Sequence, residues 1–518
     1  MLLRRPRLIA VLAGLVSATG FAPLSWWPAT LAALAVLLHL IATAPDWKRA
    51  ALIGWLFGVG HFTFGNGWIA TAFTYQAEMP AWLGWIAVVL LALYLAVYPM
   101  LAVVGAWFIA RRGGGWALVL AFAALWTISE WLRSWVFTGF VWNPLGMVTL
   151  GPWQRPGLAL IAPWLGTYAL SAMAVLLGGC WWLTARESRL SRKLAFVATP
   201  IIALLLPQLY TPAAEPGSMP FTLVQPNIPQ DELTDPIKYE SQFRRTAGLS
   251  LARYPGQRRV VLWPESGVPD YLRPGYPAPF YADTTYAADP GLARERIGRV
   301  IGPGSLLLTG AVDLVMQRRH VIAADNAVTA LDSDGRIRSG YIKAHLVPYG
   351  EYLPMRGLLE PLGLSRLVAG TLDFRSGPGP RTLALQPWGK IGVQVCYEII
   401  FSGQVVELSN RPDFLFNPSN DGWFGRFGPP QHLAQARLRA IEEGLPVFRA
   451  TTNGISAVID ANGVVRGHIA EDRAARIDGV VPRAHPPTLF ARTGNMLALG
   501  WAIVLLALSL VALRRRPR

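Results

Sequence analysis

The sequence predicts a polytopic α-helical membrane protein with about eight spans and a large polar α/β domain inserted before the last of them. Three observations carry this. Of the 518 residues 53% are hydrophobic and 21 are tryptophan, more apolar surface than a soluble core uses. The apolar residues are gathered into runs at 8–24, 28–44, 50–73, 81–110, 116–132, 158–183, 194–210 and 495–513, each long enough to cross a bilayer core. Between the last two runs the composition turns polar, and short β-branched stretches alternate with helical ones.

The first run follows Arg4, Arg5 and Arg7, so a cleaved signal peptide is the alternative there, although no clean A-x-A site ends it. The formal charge of +16 is distributed by side. Loops at alternate helix ends carry 15 Lys and Arg on one side and 2, Arg133 and Arg155, on the other, which assigns both termini to the cytoplasm. Residues 211–494 hold 30 basic and 27 acidic side chains, no footprint for nucleic acid. The membrane part has no internal repeat of the kind inverted-repeat transporters show. Its polar candidates are His39, His61, Asn66 and Glu130, and Glu130, beside Trp131 and Arg133, reads as an interfacial ion pair. The chain thus divides into a membrane domain at 1–210, a linker at 211–220, an outer domain at 221–490, and a last helix with a basic tail at 491–518.

In the outer domain, strands are expected at 221–225, 259–263, 305–311, 326–332, 337–343, 381–386, 391–396, 413–417, 446–451 and 455–460. Helices are expected at 236–254, 289–301, 402–409 and 430–443. Asp332-Ser333-Asp334-Gly335 and Asp460-Ala461-Asn462-Gly463 are hairpin turns. Residues 352–370, rich in leucine, and 422–430, with aromatic anchors between glycines, are candidate lids or packed loops.

Three stretches deliver an ionisable group from an apolar strand to a loop. Val260-Val261-Leu262-Trp263-Pro264-Glu265-Ser266 supplies a carboxylate, Tyr341-Ile342-Lys343-Ala344-His345-Leu346-Val347-Pro348-Tyr349-Gly350-Glu351 an ammonium and a second carboxylate, and Ile391-Gly392-Val393-Gln394-Val395-Cys396-Tyr397-Glu398-Ile399 a thiol. Acyl transfer needs a nucleophile, a base that takes its proton, and positive charge where an oxyanion forms. Cys396, Glu265 and Lys343 are the residue types for those roles. Only 5 of the 47 basic side chains are lysine, so a lysine at 343 stands against a strong preference for arginine. Cys180 lies near the cytoplasmic end of its span and is out of reach of Cys396, which leaves a lone thiol on the oxidising side. No Cys/His set has zinc spacing and no phosphate loop occurs, so neither a metal nor another cofactor is expected.

The order W-P-E-S, K-x-H-L-V-P-x-G-E, C-Y-E-I, followed by Asn417-Pro418-Ser419-Asn420-Asp421-Gly422-Trp423-Phe424, resembles the nitrilase superfamily and in particular its membrane-bound branch, the apolipoprotein N-acyltransferases. The resemblance covers the whole chain. It implies a four-layer α-β-β-α sandwich on the periplasmic face of a bacterial inner membrane, with Glu265, Lys343 and Cys396 as the catalytic set. It further implies a fatty acyl chain passed from a phospholipid, through a Cys396 thioester, to the α-amine of an S-diacylglyceryl apolipoprotein. Glu351, Glu398 and Tyr397 become supporting residues, His345 a structural neighbour, and Trp423, Asn420 and Asn326 candidate substrate contacts. The chain is expected to act as a monomer. Thr234 departs from the pattern, since related sequences often carry an aromatic residue there. The residues alone leave open a membrane-tethered amidase, in which water discharges the thioester, and a transporter or scaffold with an inert outer domain.

Overall fold

The computed structural model describes residues 5–75, 80–110, 114–254, 256–318, 320–359, 361 and 372–514. Arg4, Arg111, Arg112, Arg515, Arg516, Arg518 and most of the 352–370 loop lie outside the described residues.

Among the described residues five helices are long and apolar enough to cross a membrane: Leu83–Ala110, Gly115–Arg133, Thr167–Thr184, Leu190–Leu209 and Met496–Arg514. Pro6–Gly20 and Trp27–Thr43 are apolar but shorter, and Trp47–Gly65 is a further helix of 19 residues. Asp46 caps the last of these by accepting the Arg49 N–H at 2.8 Å. That helix crosses the first one at paired glycines. A Cβ on Gly14 would stand 2.1 Å from the Phe57 carbonyl oxygen, and one on Gly60 2.3 Å from that of Val11.

Two expected spans are shorter than the hydropathy suggests. The run at 50–73 stops as a helix at Gly65, because Asn66 and Gly67 turn the chain into a short helix at Ile69–Ala72. The run at 158–183 becomes regular only at Thr167, after Gly166 at φ +74°. Glu130 also differs from expectation. It is 4% exposed, and it accepts hydrogen bonds from Trp126 Nε1 (2.9 Å), the Leu145 N–H (2.8 Å) and Ser171 Oγ (2.5 Å) instead of pairing with Arg133 at an interface. A carboxylate this deep needs acceptor sites filled, and the turn at Leu145 supplies an N–H.

The outer domain is built on two six-stranded mixed sheets. The first contains β1 (Pro216–Gln225), β2 (Val260–Leu262), β3 (Leu306–Gln317), β4 (His320–Asp332), β5 (Ile337–Ile342) and β12 (Ala475–Pro482), in the order β12-β1-β2-β3-β4-β5. The second contains β6 (Thr382–Ala384), β7 (Lys390–Val393), β8 (Phe414–Ser419), β9 (Val447–Thr451), β10 (Ser456–Ile459) and β11 (Val465–Ile469), in the order β11-β10-β9-β8-β7-β6. In each sheet three central strands run parallel, β1-β2-β3 and β7-β8-β9, and the flanking strands antiparallel.

The sheets face each other across an apolar layer that includes Leu223, Leu262, Leu308, Val393, Phe416 and Phe448. Helices Tyr239–Ser250 and Pro290–Ile301 cover the outer face of the first sheet through Phe243, Ile297 and Ile301. Helix Gly428–Glu443 covers the second through Leu433, Ala436 and Ala440. The layers therefore run helix, sheet, sheet, helix. The same 428–443 helix turns Leu438 and Ile441 into the core of the membrane helices, so it is shared by both parts. Arg437 ties it further, donating to the carbonyls of Gly151 (2.9 Å), Pro152 (2.9 Å) and Arg155 (2.8 Å).

Strands β11 and β12 were not expected, because their alternation is weak: β12 buries only its last two residues. No helix forms at 402–409, where Gly403 at φ +73° reverses the chain. The expected strand 391–396 pairs only to Val393. Cys396 has φ +51° and opens a 3₁₀ turn, Cys396–Ile400, which a paired strand residue cannot do.

Candidate active site

Glu265 stands just beyond β2. Trp263 anchors the segment, fully buried, with its Nε1 donating to Ser250 Oγ at 2.8 Å. The chain then passes so close to β3 that a Cβ on Gly310 would lie 1.6 Å from the Glu265 carbonyl oxygen, so only glycine fits opposite it. Lys343 follows β5, its N–H held by the Asn326 carbonyl at 2.9 Å. Its side chain is 1% exposed, and Nζ lies 2.9 Å from Glu351 Oε1 and 3.5 Å from Glu265 Oε1. Asn326 Nδ2 donates to both of those oxygens at 2.8 Å. The two carboxylates thus share one ammonium and one amide. Burial works against the Lys343 charge, but Glu351 and Glu265 outweigh it and hold its pKa above that of an ordinary lysine.

Cys396 is 5% exposed. Burial raises its thiol well above the usual range and Glu265 adds to that, while Lys343 and the Asn420 N–H pull the other way. The resting group at neutral pH is a thiol, which must give up a proton before it can act as a nucleophile. Carboxylate and ammonium are thus in contact, and both act electrostatically on the thiol, each group being delivered by a separate loop.

Glu398 holds those loops in register. Its Oε1 accepts from Tyr341 Oη (2.8 Å), the Ala344 N–H (2.7 Å) and the His345 N–H (3.0 Å), and its Oε2 from the Val395 N–H (2.6 Å). Burial pushes its pKa up to about 7 against these donors. Glu351 Oε2 accepts the Val347 N–H at 2.7 Å, which closes the turn between Lys343 and itself. Tyr397 faces the membrane helices, its Oη donating to the Gly139 carbonyl at 3.2 Å. His345 stacks on Phe401 with ring centres 3.8 Å apart. Asn420 Nδ2 donates to Gln230 Oε1 at 2.7 Å, and Trp423 packs edge-on to Tyr75 at 5.8 Å. The amides of Asn326 and Asn420 are thus engaged within the protein. The 422–427 turn rests on the membrane part, with Phe424 against Trp68 (4.6 Å) and Phe427 against Phe64 (6.5 Å).

Residues 13–180 match the apolipoprotein N-acyltransferase N-terminal domain and residues 239–474 the carbon-nitrogen hydrolase domain. The apolipoprotein N-acyltransferase of Rhodopseudomonas palustris is 35% identical over 531 residues, spanning 98% of this chain and 95% of that protein. The chain belongs to the apolipoprotein N-acyltransferase family. The corresponding protein of Bradyrhizobium diazoefficiens is 33% identical and covers the same shares of both chains, 98% and 95%. Among solved structures, Saccharomyces cerevisiae Nit3, a member of branch 10 of the nitrilase superfamily, matches 53% of this chain and 93% of its own at 16% identity and a TM-score of 0.36.

Beneath Cys396, this apolipoprotein N-acyltransferase family member has a second polar cluster that sequence reasoning left unassigned. Asp421, His432 and Arg449 have fully buried side chains. Arg449 Nη2 donates to Asp421 Oδ2 (2.6 Å) and approaches His432 Nδ1 (2.9 Å), and Arg449 Nη1 donates to Asn417 Oδ1 (2.7 Å). A signal for it was present: Arg449 is a charge in the middle of the buried strand Val447-Phe448-Arg449-Ala450-Thr451, which requires a buried partner.

Proposed function

We propose that the protein is an inner-membrane acyltransferase of lipoprotein maturation in which Cys396 is the nucleophile, Glu265 its base and Lys343 the oxyanion partner. The observation that carries this is the 2.9 Å and 3.5 Å contacts of a buried Lys343 with Glu351 and Glu265, against a buried thiol whose proton must be removed. Glu265 takes the Cys396 proton as Sγ attacks an ester carbonyl of a phospholipid. The oxyanion forms near the Lys343 ammonium, and the lysophospholipid leaves with the proton from Glu265, giving a thioester. The α-amine of an S-diacylglyceryl lipoprotein then attacks the thioester. Its proton passes through Glu265 back to Sγ as the amide forms.

In this reading eight helices span the membrane, including the shorter ones at Pro6–Gly20, Trp27–Thr43 and Trp47–Gly65. The division at 1–210, 211–220, 221–490 and 491–518 is retained, both termini are cytoplasmic, the outer domain is periplasmic, and the protein works as a monomer. The uneven charge of the loops supports the orientation.

A two-step scheme through one thiol is tested by intact mass. Incubation with phospholipid alone should add one acyl group, released by neutral hydroxylamine and absent in Cys396→Ala. A peptide with a free N-terminal S-diacylglyceryl cysteine should discharge it as an amide. Discharge to free fatty acid at the same rate with or without peptide would instead identify a hydrolase, and no adduct would refute the nucleophile.

A further inference from the structure

The cluster beneath Cys396 ends on the nucleophile's own main chain. His432 Nε2 lies 3.0 Å from the Cys396 carbonyl oxygen, and Asn417 Nδ2 donates to the same oxygen at 3.3 Å. The other ring nitrogen, Nδ1, faces Arg449 Nη2 at 2.9 Å and Asp421 Oδ1 at 3.2 Å. Arginine can only donate, so Nδ1 is an acceptor there and the proton sits on Nε2, which donates to Cys396. Burial and the Arg449 charge keep the imidazole neutral, with a pKa lowered to about 4. Both nitrogens are therefore occupied, and the ring has no lone pair to offer the thiol. A Cys-His-Asp triad with His432 as base is excluded by this geometry, even though all three residue types meet here.

Another role is left for the ring. Cys396 has φ +51°, a left-handed conformation that a residue with a side chain rarely keeps unless its surroundings impose it. That conformation ends the strand direction and sets where Sγ points. We infer that His432 is a positioning residue for acyl transfer. Its Nε2–H, the ring being oriented by Arg449, which Asp421 holds in turn, holds the Cys396 carbonyl and thereby keeps the left-handed backbone that aims Sγ at Glu265 and Lys343. The inference rests on the reading of Cys396 as nucleophile, not on the identity of donor or acceptor.

The test uses the full chain in detergent and a small activated ester, p-nitrophenyl butyrate. Sγ attacks its carbonyl, p-nitrophenolate leaves, and the thiol proton goes to Glu265, so the burst reports acylation without phospholipid or lipopeptide. Three variants separate a hydrogen bond from mere packing. His432→Leu fills the space without a donor. His432→Gln places an amide N–H near the Nε2 position, and His432→Asn places one too short to reach. The burst rate should fall by roughly ten- to a hundredfold in His432→Leu and His432→Asn, with KM nearly unchanged, and His432→Gln should recover most of it. Should His432→Leu fail to fold, as judged by thermal melting, the Gln and Asn pair decides alone. A wild-type burst rate in His432→Leu, or equal rates in His432→Gln and His432→Asn, would overturn the assignment. A burst in the wild type with no transfer from phospholipid to lipopeptide would refute the proposed function and leave the positioning role standing.

Discussion

Replacing Lys343 by Arg keeps the charge and changes only its shape, so it isolates what the ammonium does. The side chain is 1% exposed and Nζ fits between Glu351 Oε1 at 2.9 Å and Glu265 Oε1 at 3.5 Å, a spacing set for one nitrogen. A guanidinium is planar and longer, and both carboxylates would draw it into a forked pairing, turned away from the Cys396 side. Overpacking of this kind costs about 1–3 kcal/mol in stability. The loss of one oriented oxyanion partner costs on the order of 10²–10³ in rate, about 2.7–4 kcal/mol of barrier. The assay is the rate of acyl loading from phospholipid by intact mass, with thermal melting to show that the variant is folded. Loading within about threefold of wild type would refute the role, since threefold is well under 1 kcal/mol. Lys343→Met sharpens the argument, because it leaves Glu265 and Glu351 buried without their cation and should destabilise by about 3–5 kcal/mol. Adding Glu351→Gln to Lys343→Met should recover stability and recover no activity.

Glu265→Gln should move two observables in opposite directions. Cys396 should ionise at lower pH, since a charge that raises its pKa is gone, and iodoacetamide alkylation should begin earlier in a pH titration, yet acyl loading should fall by about 10²–10⁴; a parallel rise or fall of both would contradict the base assignment. Glu398 carries a pKa raised to about 7, so its protonated form is the one folding favours and its contribution to stability is present at low pH and lost as pH rises through 7. Melting temperature should therefore depend less on pH between 5 and 8 in Glu398→Gln than in the wild type, and an unchanged pH dependence would show that Glu398 does not titrate there. Tyr397→Phe removes a single 3.2 Å hydrogen bond to Gly139 and should cost about 1 kcal/mol in stability, measured by chemical denaturation, with loading reduced only as far as the junction loosens. A reporter active only in the periplasm should work when fused after Glu215 and be silent when fused after Arg112; the reverse pattern would place Cys396 on the wrong side.

The sequence alone determined where most of the long apolar helices lie, the strands that lead to Glu265 and Lys343, and the chemistry class. Those features depend on local quantities: runs of apolar residues, period-two alternation, turn residues, and the scarcity of lysine in an arginine-rich chain. Much of the site's immediate surroundings was legible for the same reason, since Glu351 lies eight residues after Lys343 and Glu398 two after Cys396 in one motif each. What the tertiary structure alone decided concerns groups that meet from distant positions or that local pattern misreports. β12 joins the first sheet by pairing with β1 from 250 or more residues away, so its weak alternation carried no sign of it. Glu130 appeared interfacial from its neighbours, yet Ser171 and Leu145 come from other segments to satisfy it in the interior. Asn326 has its amide donating to both Glu265 and Glu351, a pairing its place in the sequence did not show. Cys396 was read as the end of a strand because β-branched residues precede it, whereas His432 and Asn417, 36 and 21 residues downstream, hold its carbonyl in a turn. A buried hydrogen bond is strong enough to override local strand preference, and its partner is chosen by packing that no sequence window contains.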